Sequence, residues 1–205
     1  MISFVYFDVG GVVVKDFSKS DKWQQLRQEL GVTSELEEAF QKIWQQYEPE
    51  ICLGREVDSL VPILRRELNL QLPVEYSLLD GFVNRFEANP SLWPVIEMVK
   101  QKARVGLLTN MYPGMLEATQ KRGIMPQVDW DVVVDSSLEL FQKPDPKLFE
   151  LAETQAGATG REVLFIDNTL GHVKAAKEFG WQICLYDSSN YERATHDLAV
   201  FLKNI

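Results

Sequence analysis

A chain of 205 residues, 45% hydrophobic and 25% charged, carries enough apolar material for one full core plus an insertion and has an ordinary globular composition. Its net charge of −9 opposes general nucleic-acid binding, which needs a basic face, and means that an anionic substrate requires local positive charge from a lysine or a metal. Two cysteines in unlike contexts, Cys52 and Cys184, read as small buried hydrophobes in a reducing compartment; with no apolar run near membrane-span length and no signal-peptide pattern, the expectation is a cytoplasmic protein without a membrane partner.

Residues 2–7 (ISFVYF) predict a buried strand, followed by Asp8, the pair Gly10-Gly11 and a short extended piece at 12–14. From 17 to 90 the apolar residues fall at helical spacing. Leu26, Leu30, Leu36, Phe40, Ile43, Trp44 and Tyr47 mark the first runs. Leu60, Ile63, Leu64 and Leu68 mark a second, with Asp58 or Ser59 as its N-cap, and Tyr76, Leu79, Phe82, Val83 and Phe86 a third. No strand is expected in this block. Beyond Pro90 the chain alternates: helix 92–102, strand 104–109, helix 114–122, strand 130–135, helix 146–156, strand 162–167, helix 169–179, strand 181–187 and helix 191–203. Strands alternating with helices imply βαβ units, hence an α/β protein with a parallel Rossmann-like sheet between helical layers. Residues 1–16 and 91–205 form this core, and 17–90 an inserted all-helical unit.

Right-handed crossovers bring the carboxyl ends of all parallel strands to one rim. Asp8, Thr109, Asp135 and Asp167 each end such a strand. A carboxylate ending a buried strand is costly unless it has partners or a function. Gly10-Gly11 suits a tight turn with backbone close to a ligand. In Lys143-Pro144-Asp145-Pro146, Asp145 is placed to cap the next helix and Pro146 to occupy its first position.

Four pieces in order, Asp8 after the first strand, Thr109-Asn110, the Lys143-Pro144-Asp145-Pro146 loop and Asp167-Asn168, resemble the haloacid dehalogenase-like (HAD) hydrolase superfamily. The resemblance covers the whole chain, with 17–90 matching the helical cap that many members insert. It implies that Asp8 is a nucleophile forming an aspartyl-phosphate. It further implies that Thr109 and the Asn110 backbone bind phosphoryl oxygens, and that Lys143 holds Asp8 and the phosphate together. Mg²⁺ is the implied cofactor, held by Asp8, the Gly10 backbone carbonyl, Asp167 and Asn168. The implied activity is phosphatase action on a small phosphorylated metabolite, such as a sugar phosphate; the oligomeric state is not readable.

The pattern departs from the family at two points. Family phosphatases usually carry a second aspartate two residues after the nucleophile, where this chain has Gly10. That side chain protonates the leaving group, and its loss matters less for an activated ester; Asp16 is the nearest replacement. Many relatives have two adjacent acids where this chain has Asp167-Asn168, and His172 stands where Asn is common. Two alternatives stay open: a scaffold that binds a phosphorylated ligand or partner without turnover, and a metal-free haloacid dehalogenase. Arg55, Trp44 and Tyr47 are candidates to reach inward from the cap.

Overall fold

The computed structural model describes residues 1–17 and 20–203. Strand β1 (Phe4–Phe7), buried along its whole length, lies at the centre of a five-stranded parallel sheet. On one side lie β4 (Arg104–Thr109) and then β5 (Val132–Asp135); on the other lie β6 (Val163–Asp167) and then β7 (Gln182–Leu185). Strands covered on both faces need apolar residues at nearly every position, which is why the central β1 and β6 read as apolar runs up to their terminal acids. The chain moves outward through β4 and β5, then returns to the far side of β1, so β1 and β6 flank the point where the order reverses. In open α/β sheets that crevice is where ligands bind.

Alternation along β1 divides the core in two. Val5 and Phe7 pack with Leu107, Ile166, Ile96 and Leu198 on one face; Phe4 and Tyr6 pack with Leu108, Phe165 and Phe149 on the other. Helices α5 (Trp93–Lys100) and α10 (Tyr191–Lys203) cover the first face, α8 (Pro146–Ala156) and α9 (Leu170–Phe179) the second, giving the expected three layers. The register sets Phe7 beside both Leu107 and Ile166. One residue further on, Asp8 therefore leaves β1 alongside Asp167 of β6, its own N–H bonded to the Ile166 carbonyl at 2.9 Å.

Between β1 and β4 the chain forms α1 (Lys22–Glu29), α2 (Glu37–Ile51), α3 (Val61–Leu68) and α4 (Leu78–Val83). Rings of Trp23, Phe40, Trp44 and Phe82 pack against one another, and Tyr112, just after β4, joins them. The expectation of no strand in this block fails at one place: β3 (Glu87–Ala88) pairs antiparallel with β2 (Val14–Lys15). Two residues per strand leave no periodicity to read. Buried Asn89 ties the same two connections together, donating to the Val12 carbonyl at 2.8 Å. The third run is helical only over 78–83, with Ser77 as its cap. Asp58 caps nothing at α3; a 3₁₀ turn (Val57–Leu60) precedes that helix, and the Asp58 carboxylate accepts from the Leu79 N–H instead. Among the described residues no helix is long and apolar enough to cross a membrane.

Candidate active site

The strand ends converge as expected. Asp8 is buried, and its Oδ1 accepts from the Val9 N–H at 2.8 Å and from Lys143 Nζ at 2.9 Å. Among the described residues no donor reaches Oδ2, which leaves that oxygen as the one able to act. Lys143 is itself buried and spans the reversal point of the sheet. Its Nζ donates to Asp8, to Asp167 Oδ2 at 2.8 Å and to the Leu108 carbonyl at 3.0 Å. These acceptors occupy all three ammonium protons. The Phe165 ring lies 5.2 Å from the charge, a distance at which its π face favours the cation.

Two loops are locked to hold this lysine. Asn110, directly after β4, donates through its side-chain amide to the Lys143 carbonyl at 3.0 Å and accepts from the Lys143 N–H at 2.9 Å. Asp145 caps α8 by accepting from the Lys147 N–H at 2.9 Å, with Pro146 at the first helical position. The Asn110 side chain is thus a clamp on the neighbouring loop, a role that a sequence motif does not disclose.

The electrostatics follow from one cation shared between two carboxylates. Burial, then repulsion from Asp167, push the Asp8 carboxyl up to about 6, against the pull of Lys143. Asp167 is also buried, yet Lys143 and His172 hold it well below the usual carboxylate range. The two carboxylates raise Lys143 despite burial. Asp167 therefore takes the larger share of the cation, and Asp8 is the carboxylate left partly uncompensated.

Asp167, expected as a metal ligand, accepts through Oδ1 from the Thr169 N–H at 2.7 Å, and its Oδ2 accepts from Lys143 and lies 3.0 Å from His172 Nδ1. It positions Lys143. Asp135 leaves the site: its carboxylate accepts from the N–H and hydroxyl of Ser137, capping the short helix α7 (Ser136–Glu139). Thr109 is buried at the end of β4 and does not line the cavity, whereas Asn110 does.

Asp8 opens into a cavity of about 450 Å³ that Gly10, Asn168, Lys143 and His172 also line. Its wall carries Phe17, Phe82, Phe86, Met111 and Met115. None of the three cap candidates, Arg55, Trp44 and Tyr47, lines it. Trp44 is buried in the aromatic cluster, and Arg55 lies over the Tyr47 ring while bonding Glu50 and Ser59. Cys52 is buried beside the cavity, which pushes its thiol up to about 12, and its carbonyl accepts from Ser136 Oγ at 2.7 Å. Cys184 is only half-buried, on β7.

The cavity floor fits a hard cation. Asp8 carboxylate, Gly10 carbonyl and Asn168 amide offer oxygens alone, only one of them charged, and among the described residues no group of three or more His, Cys, Asp or Glu side chains could hold a metal. That donor set suits Mg²⁺, which keeps several waters, and does not suit zinc. Gly11 makes the arrangement possible: at φ +79°, a Cβ there would lie 2.0 Å from Asn168 Nδ2. Gly11→Ala is expected to displace Asn168 and cost about 1–2 kcal/mol from the left-handed backbone alone. Urea unfolding measures this, and an unchanged midpoint would contradict it.

A family model described as haloacid dehalogenase-like hydrolase matches residues 2–180. Bifunctional epoxide hydrolase 2 of Sus scrofa is 24% identical over 194 residues, covering 85% of this chain but 34% of that protein, so the chain spans about a third of that relative. The HAD family enzyme BT-2542 from Bacteroides thetaiotaomicron, in complex with magnesium and inorganic phosphate, superposes with a TM-score of 0.71 at 18% identity, covering 93% of this chain and 96% of that one. The L-2-haloacid dehalogenase of Xanthobacter autotrophicus, with chloropropionic acid covalently bound, gives 0.63 at 22% identity, covering 91% and 78%.

Proposed function

This chain belongs to the haloacid dehalogenase-like hydrolase family, and from that premise we propose that it is a Mg²⁺-dependent phosphatase of a small phosphorylated metabolite. The observation that carries the reading is the buried Asp8–Lys143–Asp167 array opening onto a cavity whose donor set suits Mg²⁺. The magnesium and phosphate bound by BT-2542 support it.

In this reading Asp8 Oδ2 bonds to phosphorus as the ester P–O bond breaks, giving an aspartyl-phosphate. Water then attacks phosphorus, the bond to Asp8 breaks and inorganic phosphate leaves. Lys143 fixes the orientation of Asp8 and supplies a buried positive charge beside the equatorial oxygens. The Asn110 backbone borders the phosphoryl site on the cavity wall. When bound, Mg²⁺ would draw charge from the phosphoryl oxygens as a Lewis acid. The 17–90 segment acts as a cap over the 1–16 and 91–205 core, excluding water. Its Phe17, Phe82 and Phe86 favour a metabolite with an apolar face, which a sugar ring or an aryl group presents.

The test is phosphate release from sugar, aryl and alkyl phosphates with and without Mg²⁺, alongside halide release from 2-haloacids without metal. Phosphate release that requires Mg²⁺ supports the reading. Halide release in its place, or ester binding with no turnover, would transfer the site to the dehalogenase or the scaffold reading. Asn168→Asp adds a charge to the proposed metal site and is expected to lower the Mg²⁺ concentration for half-maximal turnover by roughly tenfold. A Mg²⁺ titration of turnover decides this, and an unchanged or higher requirement would remove Asn168 from the ligand set.

A further inference from the structure

Hydrolysis of an unactivated ester needs a proton for the departing oxygen and a base for the incoming water. The carboxylates that line the cavity are Asp8, Asp16 and Glu48. Asp8 is the nucleophile of the reading above. Glu48 stands on α2 beside Trp44 and Tyr112, in the helical segment. Asp16 lies at the nucleophile turn itself.

The chain doubles back tightly to bring it there. The Gly11 N–H donates to the Val14 carbonyl at 2.8 Å, and the Val14 N–H to the Val9 carbonyl at 3.0 Å. Gly10 bridges to Val14, and the pairing of β2 with β3 fixes Val14 and Lys15, so residue 16 emerges next to residue 10. A Cβ built on Gly10 would have Asp16 Oδ2 at 3.1 Å, and its next two neighbours are also Asp16 atoms, both at 3.8 Å. The carboxylate of Asp16 fills the space that a side chain on residue 10 would enter. Gly10 has no positive φ, so the backbone there would accept a side chain. A side chain there would meet Asp16 first.

We propose that Asp16 is the general acid and base of this site, giving its proton to the leaving oxygen as Asp8 bonds to phosphorus and regaining one from the water that cleaves the aspartyl-phosphate. The assignment rests on the phosphatase reading. The balance is complete: the ester P–O bond breaks and its oxygen takes the Asp16 proton. Water then gives one proton to Asp16 and its hydroxyl oxygen to phosphorus, while the electrons of the broken P–O bond return to Asp8. His172 also lines the cavity, but its Nδ1 is directed to Asp167.

The experiment uses the full chain with Mg²⁺ and two substrates, 4-nitrophenyl phosphate and an alkyl phosphate. Asp16→Asn is expected to lose about 10²–10⁴-fold in turnover of the alkyl ester, whose leaving oxygen needs the proton. With 4-nitrophenyl phosphate, rapid mixing should reveal a burst of one nitrophenolate per chain followed by slow turnover, because the first step needs no acid and the second needs the base. A structural role for Asp16 would give no burst. The variant Asp16→Ala/Gly10→Asp, which clears the 3.1 Å contact and restores a carboxylate from the other position, should recover alkyl ester turnover. No burst with 4-nitrophenyl phosphate, or no recovery in a double variant that still folds by circular dichroism, overturns the assignment while leaving the phosphatase reading intact. A wild-type chain inactive on every ester overturns both.

Discussion

Asp8→Asn is expected to abolish turnover and, in the same protein, to raise thermal stability at neutral pH. The kinetic loss should be on the order of 10⁴–10⁶ in kcat, the scale seen when a nucleophile acting within a unit is removed. The stability gain follows from the Asp8 carboxyl being pushed up to about 6 from 3.8, chiefly by burial. Because the folded value exceeds the unfolded one, the folded state binds the proton more tightly. The contribution of Asp8 to stability is fully present below the unfolded value and is lost as pH rises through about 6. Above that, a charged Asp8 strains the fold, and an isosteric amide relieves it. Asp167 runs the other way: its lowered carboxyl adds stability above the ordinary carboxylate range, lost as pH falls. Melting curves of the metal-free protein should show the variant above wild type near pH 8 and level with it near pH 4. A lower melting temperature near pH 8, or undiminished kcat, would count decisively against Asp8 as a strained nucleophile.

Lys143→Met should be the most destabilising change in the site. It leaves two buried carboxylates side by side at the ends of adjacent strands, with three acceptors each losing a donor at once. Breaking one side of a buried ion pair typically costs about 3–5 kcal/mol. The sign of the pH response distinguishes this from simple loss of packing. Without the cation, Asp8 rises further, so acidification neutralises it and the variant should recover stability relative to wild type as pH falls. Denaturant titrations of both proteins at neutral and acid pH test it, and a deficit constant with pH would refute the electrostatic account.

The central sheet was legible in the sequence because buried parallel strands need apolar residues at every position, as Val163–Asp167 illustrates. The Asp145-Pro146 helix entry was legible for a local reason, since a cap and its helix are neighbours in the chain. What escaped was tertiary. The two-residue pairing of β2 with β3 has too few residues to carry a pattern. The Asn110 clamp depends on two loops meeting. Nothing in the Asp167-Asn168 motif says that Lys143, His172 and the Thr169 N–H all gather around Asp167. Arg55, Trp44 and Tyr47 are candidates to reach inward by residue type alone, and packing decides their direction.

The central position of β1 has a consequence for how the molecule comes into being. Phe4 pairs with Arg104 on one side and Val163 on the other. Strand β1 therefore has no partner in the sheet until β4, which begins at Arg104, has followed, and no second one until β6. Contacts between residues so far apart in sequence carry a large loop-closure entropy and slow folding. The helical segment, rich in local contacts, can form early, whereas the nucleophile is assembled only when β6 docks. No N-terminal fragment ending before Asp167 can hold Asp8 and Lys143 in the arrangement seen here, and the gain of ester hydrolysis during refolding should coincide with the last cooperative step.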